Sequence, residues 1–151
     1  LLEQGSRVQV IGRREGIPDR VLNEINKTIE ITSENKGTTL CLAINYGGRG
    51  EISDAVQKIA RRIEIGELSA DQVDEKLIAE NLYTSGMPDP DLLIRTSGEM
   101  RISNFLLWQI SYSELWVTDK YWPEFEESDL HQAIEVFASR NRRFGGLTSL
   151  T

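Results

Sequence analysis

The stretch that decides the fold is Asp89–Phe105, which reads DPDLLIRTSGEMRISNF. Its short apolar run, Leu92–Ile94, predicts a buried strand that follows a turn containing two prolines. Directly after the run come Arg95, a loop of small residues, and then Arg101. Ligands of open α/β sheets bind in the loops that leave the carboxyl ends of strands, so this segment is predicted to form the binding site.

The side chains of this loop suit a phosphorylated ligand. Arg95 and Arg101 each carry a planar fork of donors that matches phosphate oxygens, and Ser103 adds a hydroxyl. Successive amides of the small-residue loop would add a backbone site for an anion. The alternative is that both arginines form surface ion pairs, for example with Glu99 or Asp91. The chain has no Walker pattern, so the segment is not a general nucleotide motif.

Strand and helix patterns alternate along the rest of the chain. Strands are predicted at Arg7–Ile11, Thr38–Ile44, Leu92–Ile94 and Leu115–Thr118. Helices are predicted over residues 19–33, 51–65, 69–82, 104–109 and 128–140. This order favours βαβ units, so the predicted fold class is α/β, with a mostly parallel sheet flanked by helices. Without an internal repeat or a linker, one domain or most of one is expected.

Composition narrows the classes of function. The 151 residues carry a formal net charge of -7, which argues against a general affinity for nucleic acid. No run approaches the roughly 18 apolar residues of a membrane span. The single cysteine, Cys41, excludes an intrachain disulfide and fits a reducing cytoplasm. It lies in the second predicted strand, which is apolar enough to be buried on both faces, so Cys41 is predicted to be a core residue.

A second loop, Asn45–Gly50, also follows a strand and precedes a helix. Its amides would point at an anion bound to the helix amino terminus. Alternatively, its glycines serve a tight connection between strand and helix. The sequence leaves both interpretations open.

Two further features, Glu114 and residues 105–125, can each be interpreted in more than one way. Glu114 precedes the fourth strand and offers oxygen ligands of the kind that Mg²⁺ prefers, but a solvated or arginine-paired carboxylate is the simpler reading. Residues 105–125 are unusually apolar and aromatic, which suits core packing, a self-associating surface or a cleft for lipid.

Six segments together resemble the cis-prenyltransferase family, and most closely its bacterial undecaprenyl diphosphate synthases. They are LAINYGGR at 42–49, DPDLLIRTSGE at 89–99, RISNFLLWQ at 101–109, YSEL at 112–115, WP at 122–123 and RRFGG at 142–146. Their order and separations match the family from about residue 5 to residue 147. The resemblance implies repeated addition of isopentenyl diphosphate to an allylic diphosphate such as farnesyl diphosphate, with Mg²⁺ assisting departure of the allylic diphosphate. It also implies a homodimer and a cytoplasmic enzyme, with peripheral membrane contact through a lipid product left open.

The resemblance assigns roles by position. Arg95, Arg101 and Ser103 would hold isopentenyl diphosphate, Ile102 would add a backbone contact, and Glu114 would help to bind Mg²⁺. The presence of fixed cations agrees with the implied chemistry, because cations stabilise the negative charge that develops on a leaving diphosphate.

The carboxyl-terminal residues Arg143 and Gly145 resemble the family's Arg-x-Gly motif, which supports catalysis across the dimer interface. Met100 stands where bacterial relatives often carry histidine. The Asp-Gly-Asn-Gly-Arg-Trp signature, whose aspartate is the family's main Mg²⁺ ligand, is absent from the 151 residues. The chain is therefore expected to be the carboxyl-terminal portion, residues 1–151, of a single domain, incomplete at its amino terminus, with negligible activity alone and no main catalytic residue.

Two alternatives remain at this point. In the first alternative, the chain is a non-catalytic dimer subunit or interaction module of a prenyltransferase complex. The chain retains substrate-binding and metal-binding candidates, which argues against this alternative; they are Arg95, Arg101, Ser103 and Glu114. A weaker alternative is an unrelated α/β domain that binds phosphate.

Overall fold

A computed structural model describes residues 5–140 of the chain. Four strands are present: β1 Arg7–Ile11, β2 Thr39–Ala43, β3 Leu92–Arg95 and β4 Glu114–Val117. Four α-helices are present: α1 Asp19–Thr32, α2 Gly48–Glu64, α3 Glu75–Asn81 and α4 Glu127–Ser139. The chain divides into two compact units, residues 1–87 and 88–151. None of the helices within residues 5–140 has the length and apolar character needed to cross a bilayer.

The first unit contains a βαβ arrangement. Strands β1 and β2 pair in parallel, with Arg7 opposite Thr39 and Ile11 opposite Ala43. Helix α1 connects them and packs against β1, while α2 packs against α3. The buried apolar side chains of this unit come from β1, α2 and the residue after α3, namely Val8, Ile11, Ala55, Ile59 and Leu82.

Helix α1 is joined to β1 by a buried hydroxyl. Thr32, in the last turn of α1, is 1% exposed, and its Oγ1 accepts a hydrogen bond of 3.1 Å from the Val8 amide. The same hydroxyl donates to the carbonyl of Thr28 at 2.8 Å. A buried backbone donor is costly when unpaired, so this contact fixes where the helix end meets the strand.

The prediction that β2 is buried on both faces is wrong for the chain as described. All five residues of β2 are exposed, including Leu40 at 39% and Leu42 at 41%, and Cys41 is exposed rather than buried in a core. The physical reason is that α1 packs against β1 and α2 against α3, so β2 is not sandwiched between helices, and it pairs with β1 alone in a sheet of two strands among residues 5–140.

The second unit repeats parallel pairing without a helical crossover. Strands β3 and β4 pair with Leu92 opposite Glu114 and Arg95 opposite Val117, and α4 packs against β4. Residues 96–113 connect the two strands through turns only. The helix predicted at 104–109 is therefore wrong, and the backbone angles of this segment give the reason below.

Helix boundaries differ from the predictions where capping decides them. In the predicted helix 69–82, a capping box formed by Ser69 and Gln72 opens only one turn of 3₁₀ helix, and α3 begins separately after Asp74 accepts from the Leu77 amide. Helix α4 starts one residue before the predicted range 128–140, because Glu126 caps it in a box with Asp129. Side chains that reach back to free amides satisfy the first turn, so the best-placed acceptor sets the start.

Candidate functional site

The candidate site lies at the carboxyl end of β3 in the second unit. Arg95 is the last residue of β3 and faces Val117 of β4 in the parallel register. The chain then turns sharply, since Ser97 has a φ of 69° and Gly98 a φ of 64°. A Cβ on Gly98 would lie 2.7 Å from Oδ1 of Asp119, so the turn favours glycine for its backbone conformation, and another residue would also displace the end of the Asp119 side chain.

Two amides of the loop are already used by the main chain. The Ser97 amide donates to the carbonyl of Lys120 and the Gly98 amide to the carbonyl of Thr118, both at 2.8 Å. These bonds extend the contact between the ends of β3 and β4. These two donors are therefore not available to an anion, and the neighbouring arginine side chains are the main candidates for binding one.

Arg95 and Arg101 converge on one carboxylate oxygen. Nη2 of Arg95 donates to Oε2 of Glu99 at 2.9 Å, and Nη2 of Arg101 contacts the same oxygen. The hydrogen bond from Arg95 lowers the pKa of the Glu99 carboxyl, and the charge of Arg101 acts in the same direction. The ion pair that the sequence offered as an alternative is thus present, and it brings the two predicted arginines together.

Arg95 also carries an unused donor. Its Nε is buried and has no hydrogen-bond partner among the described residues. An unpaired buried donor costs free energy, and native proteins rarely leave one without a role or a partner. The guanidinium therefore has donor capacity for an acceptor beyond Glu99.

A strained turn presents Ile102 and Ser103. The Phe105 amide donates to the Ile102 carbonyl at 2.9 Å, while Ser103, Asn104 and Leu106 have φ values of 46°, 64° and 45°. Residues other than glycine rarely adopt this left-handed backbone conformation, and strained residues of this kind are concentrated at binding sites. It also explains why no helix forms here, because consecutive left-handed residues break the right-handed helical hydrogen-bond pattern. The Ser103 side chain is exposed at this turn.

Glu114 lies apart from the arginine pair within this chain. It begins β4 and faces Leu92, at the opposite end of the two-stranded sheet from Arg95. Three residues of parallel strand span about 10 Å. Its Oε2 accepts from Nη1 of Arg140 at 2.7 Å, and the same nitrogen donates to the Leu115 carbonyl at 3.1 Å. No local sequence pattern predicts this contact, because it joins the residue after α4 to the first residue of β4.

The described residues fit Mg²⁺ only in part. Within residues 5–140, no group of three or more acidic, histidine or cysteine side chains could hold a metal ion. Glu114 supplies the right kind of donor, since Mg²⁺ is bound through one or two carboxylates together with phosphate oxygens and water. To serve as a ligand, it would have to share or give up its ion pair with Arg140.

The loop Asn45–Gly50 is shaped by contacts within the first unit. Asn45 has a φ of 51°, and its Nδ2 donates to the carbonyls of Arg13 and Glu15. Helix α2 starts at Gly48, and the buried Glu51 carboxylate in its first turn accepts from the Tyr46 hydroxyl and the Tyr83 amide. These contacts favour the structural interpretation, because an internal carboxylate already lies in the first turn.

Two predicted residues cannot be placed. Arg143 and Gly145, assigned as supporting catalytic residues, lie outside the described residues 5–140. The same holds for the rest of the segment RRFGG at 142–146.

The amino-acid sequence matches one protein-family model and curated proteins of similar sequence. The family model described as "Putative undecaprenyl diphosphate synthase" matches residues 1–145. An isoprenyl transferase of Rhodopirellula baltica is 51% identical over 96% of this chain and 59% of its own length. A (2E,6E)-farnesyl-diphosphate-specific ditrans,polycis-undecaprenyl-diphosphate synthase of Micrococcus luteus is 50% identical over 97% of this chain and 59% of its own length.

Two solved structures share the fold. Lavandulyl diphosphate synthase from Lavandula x intermedia, solved with dimethylallyl diphosphate, matches with a TM-score of 0.92 and 39% identity, over 95% of this chain and 61% of that one. A "probable undecaprenyl diphosphate synthase" from Campylobacter jejuni matches with a TM-score of 0.82 and 32% identity, over 96% of this chain and 65% of that one. The chain thus spans about three fifths of the length of the curated relatives that it matches.

Proposed function

Because the chain belongs to the undecaprenyl diphosphate synthase family of prenyltransferases, we propose that its protein adds isopentenyl diphosphate to an allylic diphosphate such as farnesyl diphosphate. Residues 1–151 are then the carboxyl-terminal portion of one cis-prenyltransferase domain. The observation that carries the proposal is the convergence of Arg95 and Arg101 on one carboxylate oxygen, with Nε of Arg95 buried and unpaired among the described residues.

The arginine pair accounts for diphosphate binding. A diphosphate takes the place of the Glu99 carboxylate and accepts from both guanidinium groups, which hold its oxygens in charge-assisted hydrogen bonds. The exposed hydroxyl of Ser103 and the backbone at Ile102 lie on the adjoining turn and add neutral contacts. Such fixed donors bind the substrate and orient it for attack on its partner.

Mg²⁺, when bound, neutralises charge that develops on the departing allylic diphosphate. Of the described residues, Glu114 is the carboxylate that we assign to it. Since Glu114 and Arg95 lie at opposite ends of the sheet within one chain, a homodimer would let Glu114 of one protomer serve the arginine pair of the other. We assign Arg143 and Gly145 a supporting catalytic role across that interface.

Calorimetric titration with isopentenyl diphosphate tests the proposal. We expect saturable binding to the 151-residue chain, and Arg95→Ala/Arg101→Ala should weaken it by roughly two orders of magnitude, because each lost charge-assisted contact costs about tenfold. The matched control, Lys27→Ala/Lys36→Ala, removes two exposed cations from the first unit and should leave the affinity unchanged. Equal affinity of the arginine variant and the control would refute the assignment.

One observation favours the alternative of a non-catalytic subunit. Glu114 is engaged by Arg140, and the described residues hold no cluster for a metal ion. A subunit of that kind would bind no isopentenyl diphosphate by itself and would co-purify with a separate, full-length prenyltransferase. Binding in the titration above therefore separates the two functions.

A further inference from the structure

The first unit contains an open cleft that the function above does not use. It has a volume of about 590 Å³ and lies between the loop that follows β1 and the outer face of α2. Its lining includes Arg13 and Arg14 from the loop, Asp54, Lys58 and Arg61 from α2, and Tyr83. A cleft at the carboxyl end of a parallel strand is a common position for a ligand in α/β folds.

The cleft is locally basic in an acidic protein. Four cationic side chains line it against two carboxylates, Asp54 and Glu15, whereas the whole chain has a net charge of -7. A general need for solubility is met by the net negative charge of the chain and does not explain a patch of positive charge. The positive charge of the cleft attracts anions locally.

One of the four cations is fixed in place by an internal ion pair. Nε and Nη2 of Arg13 donate to the two carboxylate oxygens of Asp54 at 2.9 and 2.7 Å, and the Tyr83 hydroxyl also bonds to Asp54. A Cβ on Gly50 would lie only 3.4 Å from Nη2 of Arg13, so the guanidinium packs closely over this glycine. Asp54 is thus occupied by Arg13 and Tyr83, and the hydrogen bonds of Arg13 to Asp54 and Gly50 use Nε and Nη2 but not the outer nitrogen Nη1.

Two other cations, Lys58 and Arg61, also line the cleft, and the charge of Lys58 helps to lower the pKa of the nearby Asp54 carboxyl. Lys58 and Arg61 stand three residues apart on α2, a spacing that places them side by side on one face. In the part of the chain that the structure describes, neither forms an ion pair with a carboxylate. Lys58 lies 5.9 Å from the centre of the Tyr83 ring and makes one long bond of 3.5 Å to the Asn81 carbonyl. Its ammonium keeps donors for a ligand.

We propose that this cleft is a second anion site, which binds the phosphate group of a small phosphorylated molecule through Lys58, Arg61 and the outer nitrogen of Arg13. The site goes beyond the function proposed above, because it lies wholly in residues 12–83 and uses none of the residues assigned to isopentenyl diphosphate. The phosphate belongs either to a free metabolite or to a lipid headgroup, which present the same chemistry to the three cations.

The test uses the 151-residue chain with Arg95→Ala/Arg101→Ala, so that the arginine pair of the second unit does not contribute. Inorganic diphosphate is titrated by calorimetry, and co-sedimentation with phosphatidylglycerol vesicles offers the same chemistry on a lipid surface. Adding Lys58→Ala/Arg61→Ala should weaken the binding of the responding probe at least tenfold, about the effect of losing one charge-assisted contact. Adding Arg20→Ala/Lys27→Ala, two exposed cations of α1, should not.

A second measurement needs no substitution. In the unmodified chain, diphosphate should shift the backbone amide resonances of residues 12–15 and 57–61 in a saturable manner. Binding of diphosphate alone would identify a free metabolite as the source, and binding of vesicles alone a lipid headgroup. Absence of binding by both probes, or binding that Lys58→Ala/Arg61→Ala leaves intact, would overturn the proposal.

Discussion

Glu99 competes with the diphosphate that the arginine pair is proposed to bind. Its carboxylate must leave Arg95 and Arg101 before a substrate oxygen can take its place. We expect Glu99→Gln to tighten isopentenyl diphosphate binding by about threefold to fivefold, the effect of losing one solvent-accessible ion pair. Calorimetry at low salt measures it, because salt screens exposed charges.

The control for Glu99 is Glu127→Gln, which removes the same charge from an exposed position on α4. Weaker binding by Glu99→Gln than by this control would mean that Glu99 positions the arginines rather than competing with the ligand.

Gly12 and Gly16 lie in the same loop, but only Gly12 has other atoms close to the position that a Cβ would take. Gly12 has a φ of +115°, and a Cβ there would lie 2.0 Å from the Ile44 carbonyl oxygen, whereas Gly16 has a φ of +79° and nothing within 4 Å. We expect Gly16→Ala to lower the free energy of unfolding by about 1 kcal/mol, the cost of a left-handed alanine. Gly12→Ala should lower it by about 3 kcal/mol or more, because overlap with the main chain adds to the strain.

Urea unfolding of the two alanine variants beside the unmodified chain measures both effects. Equal losses would mean that the β1 loop moves to accept a Cβ at Gly12, and that the close approach to Ile44 is not required.

At the scale of elements, the hydroxyl of Thr32 is the link between α1 and β1. Thr32→Val keeps the shape but leaves the buried Val8 amide without its acceptor, which should cost about 1–3 kcal/mol of unfolding free energy. Thr28→Val is the matched control, because the Thr28 hydroxyl donates only to the Glu24 carbonyl within the same helix. It should change stability by less than about 0.5 kcal/mol. Similar losses of unfolding free energy in both variants would mean that the loss comes from a change in helix propensity and not from the unpaired Val8 amide.

Local patterns predicted most elements because their determinants are local. The strand at Arg7–Ile11 agrees residue for residue with β1, and the predicted helix from Asp19 ends one residue later than α1 does. The exposure of β2 was not predictable in this way, since burial of a strand depends on which other strands and helices cover it. The left-handed turn at Ser103 was missed as well, because Asn104 is the one residue type there that is enriched in this conformation, and Ser103 and Leu106 give no such signal.

The candidate site was predictable in its residues but not in its arrangement. Arg95 and Arg101 are recognisable from their position after a strand, and the structure brings them together at Glu99. The separation of Glu114 from this pair follows from the parallel register of β3 and β4, which no local pattern encodes. The basic cleft combines a loop after β1 with one face of α2, and such clustering appears only once the chain is folded.

At the scale of the whole molecule, we expect turnover to require residues in addition to the described ones. The chain spans about three fifths of its curated relatives, and the resemblance assigns the main Mg²⁺ ligand to a signature that these 151 residues do not contain. We expect the purified 151-residue polypeptide to bind isopentenyl diphosphate but to elongate farnesyl diphosphate negligibly with Mg²⁺ present. Incorporation of radiolabelled isopentenyl diphosphate measures this, and robust turnover would contradict it.

Four carboxyl groups among residues 5–140 have lowered pKa values. Hydrogen bonds from Arg13, Arg95 and Lys120 lower the pKa values of Asp54, Glu99 and Asp129 respectively, that of Asp54 to about 2. A hydrogen bond from Ser69 lowers the pKa of Asp71. The unfolded chain, with ordinary carboxyl pKa values near 4, therefore binds protons before the folded chain does. These groups contribute their full stability above about pH 5, and the contribution is lost as the pH falls toward 2.

We thus expect the free energy of unfolding to decrease steeply between about pH 5 and pH 2. Asp54→Asn should flatten that decrease, because it removes the carboxylate that the folded chain protonates only near pH 2. Urea titrations at a series of pH values measure the slope, and Glu127→Gln shows whether the loss of any carboxylate has the same effect. A slope in Asp54→Asn as steep as in the unmodified chain would mean that the ion pair with Arg13 persists equally in the unfolded state.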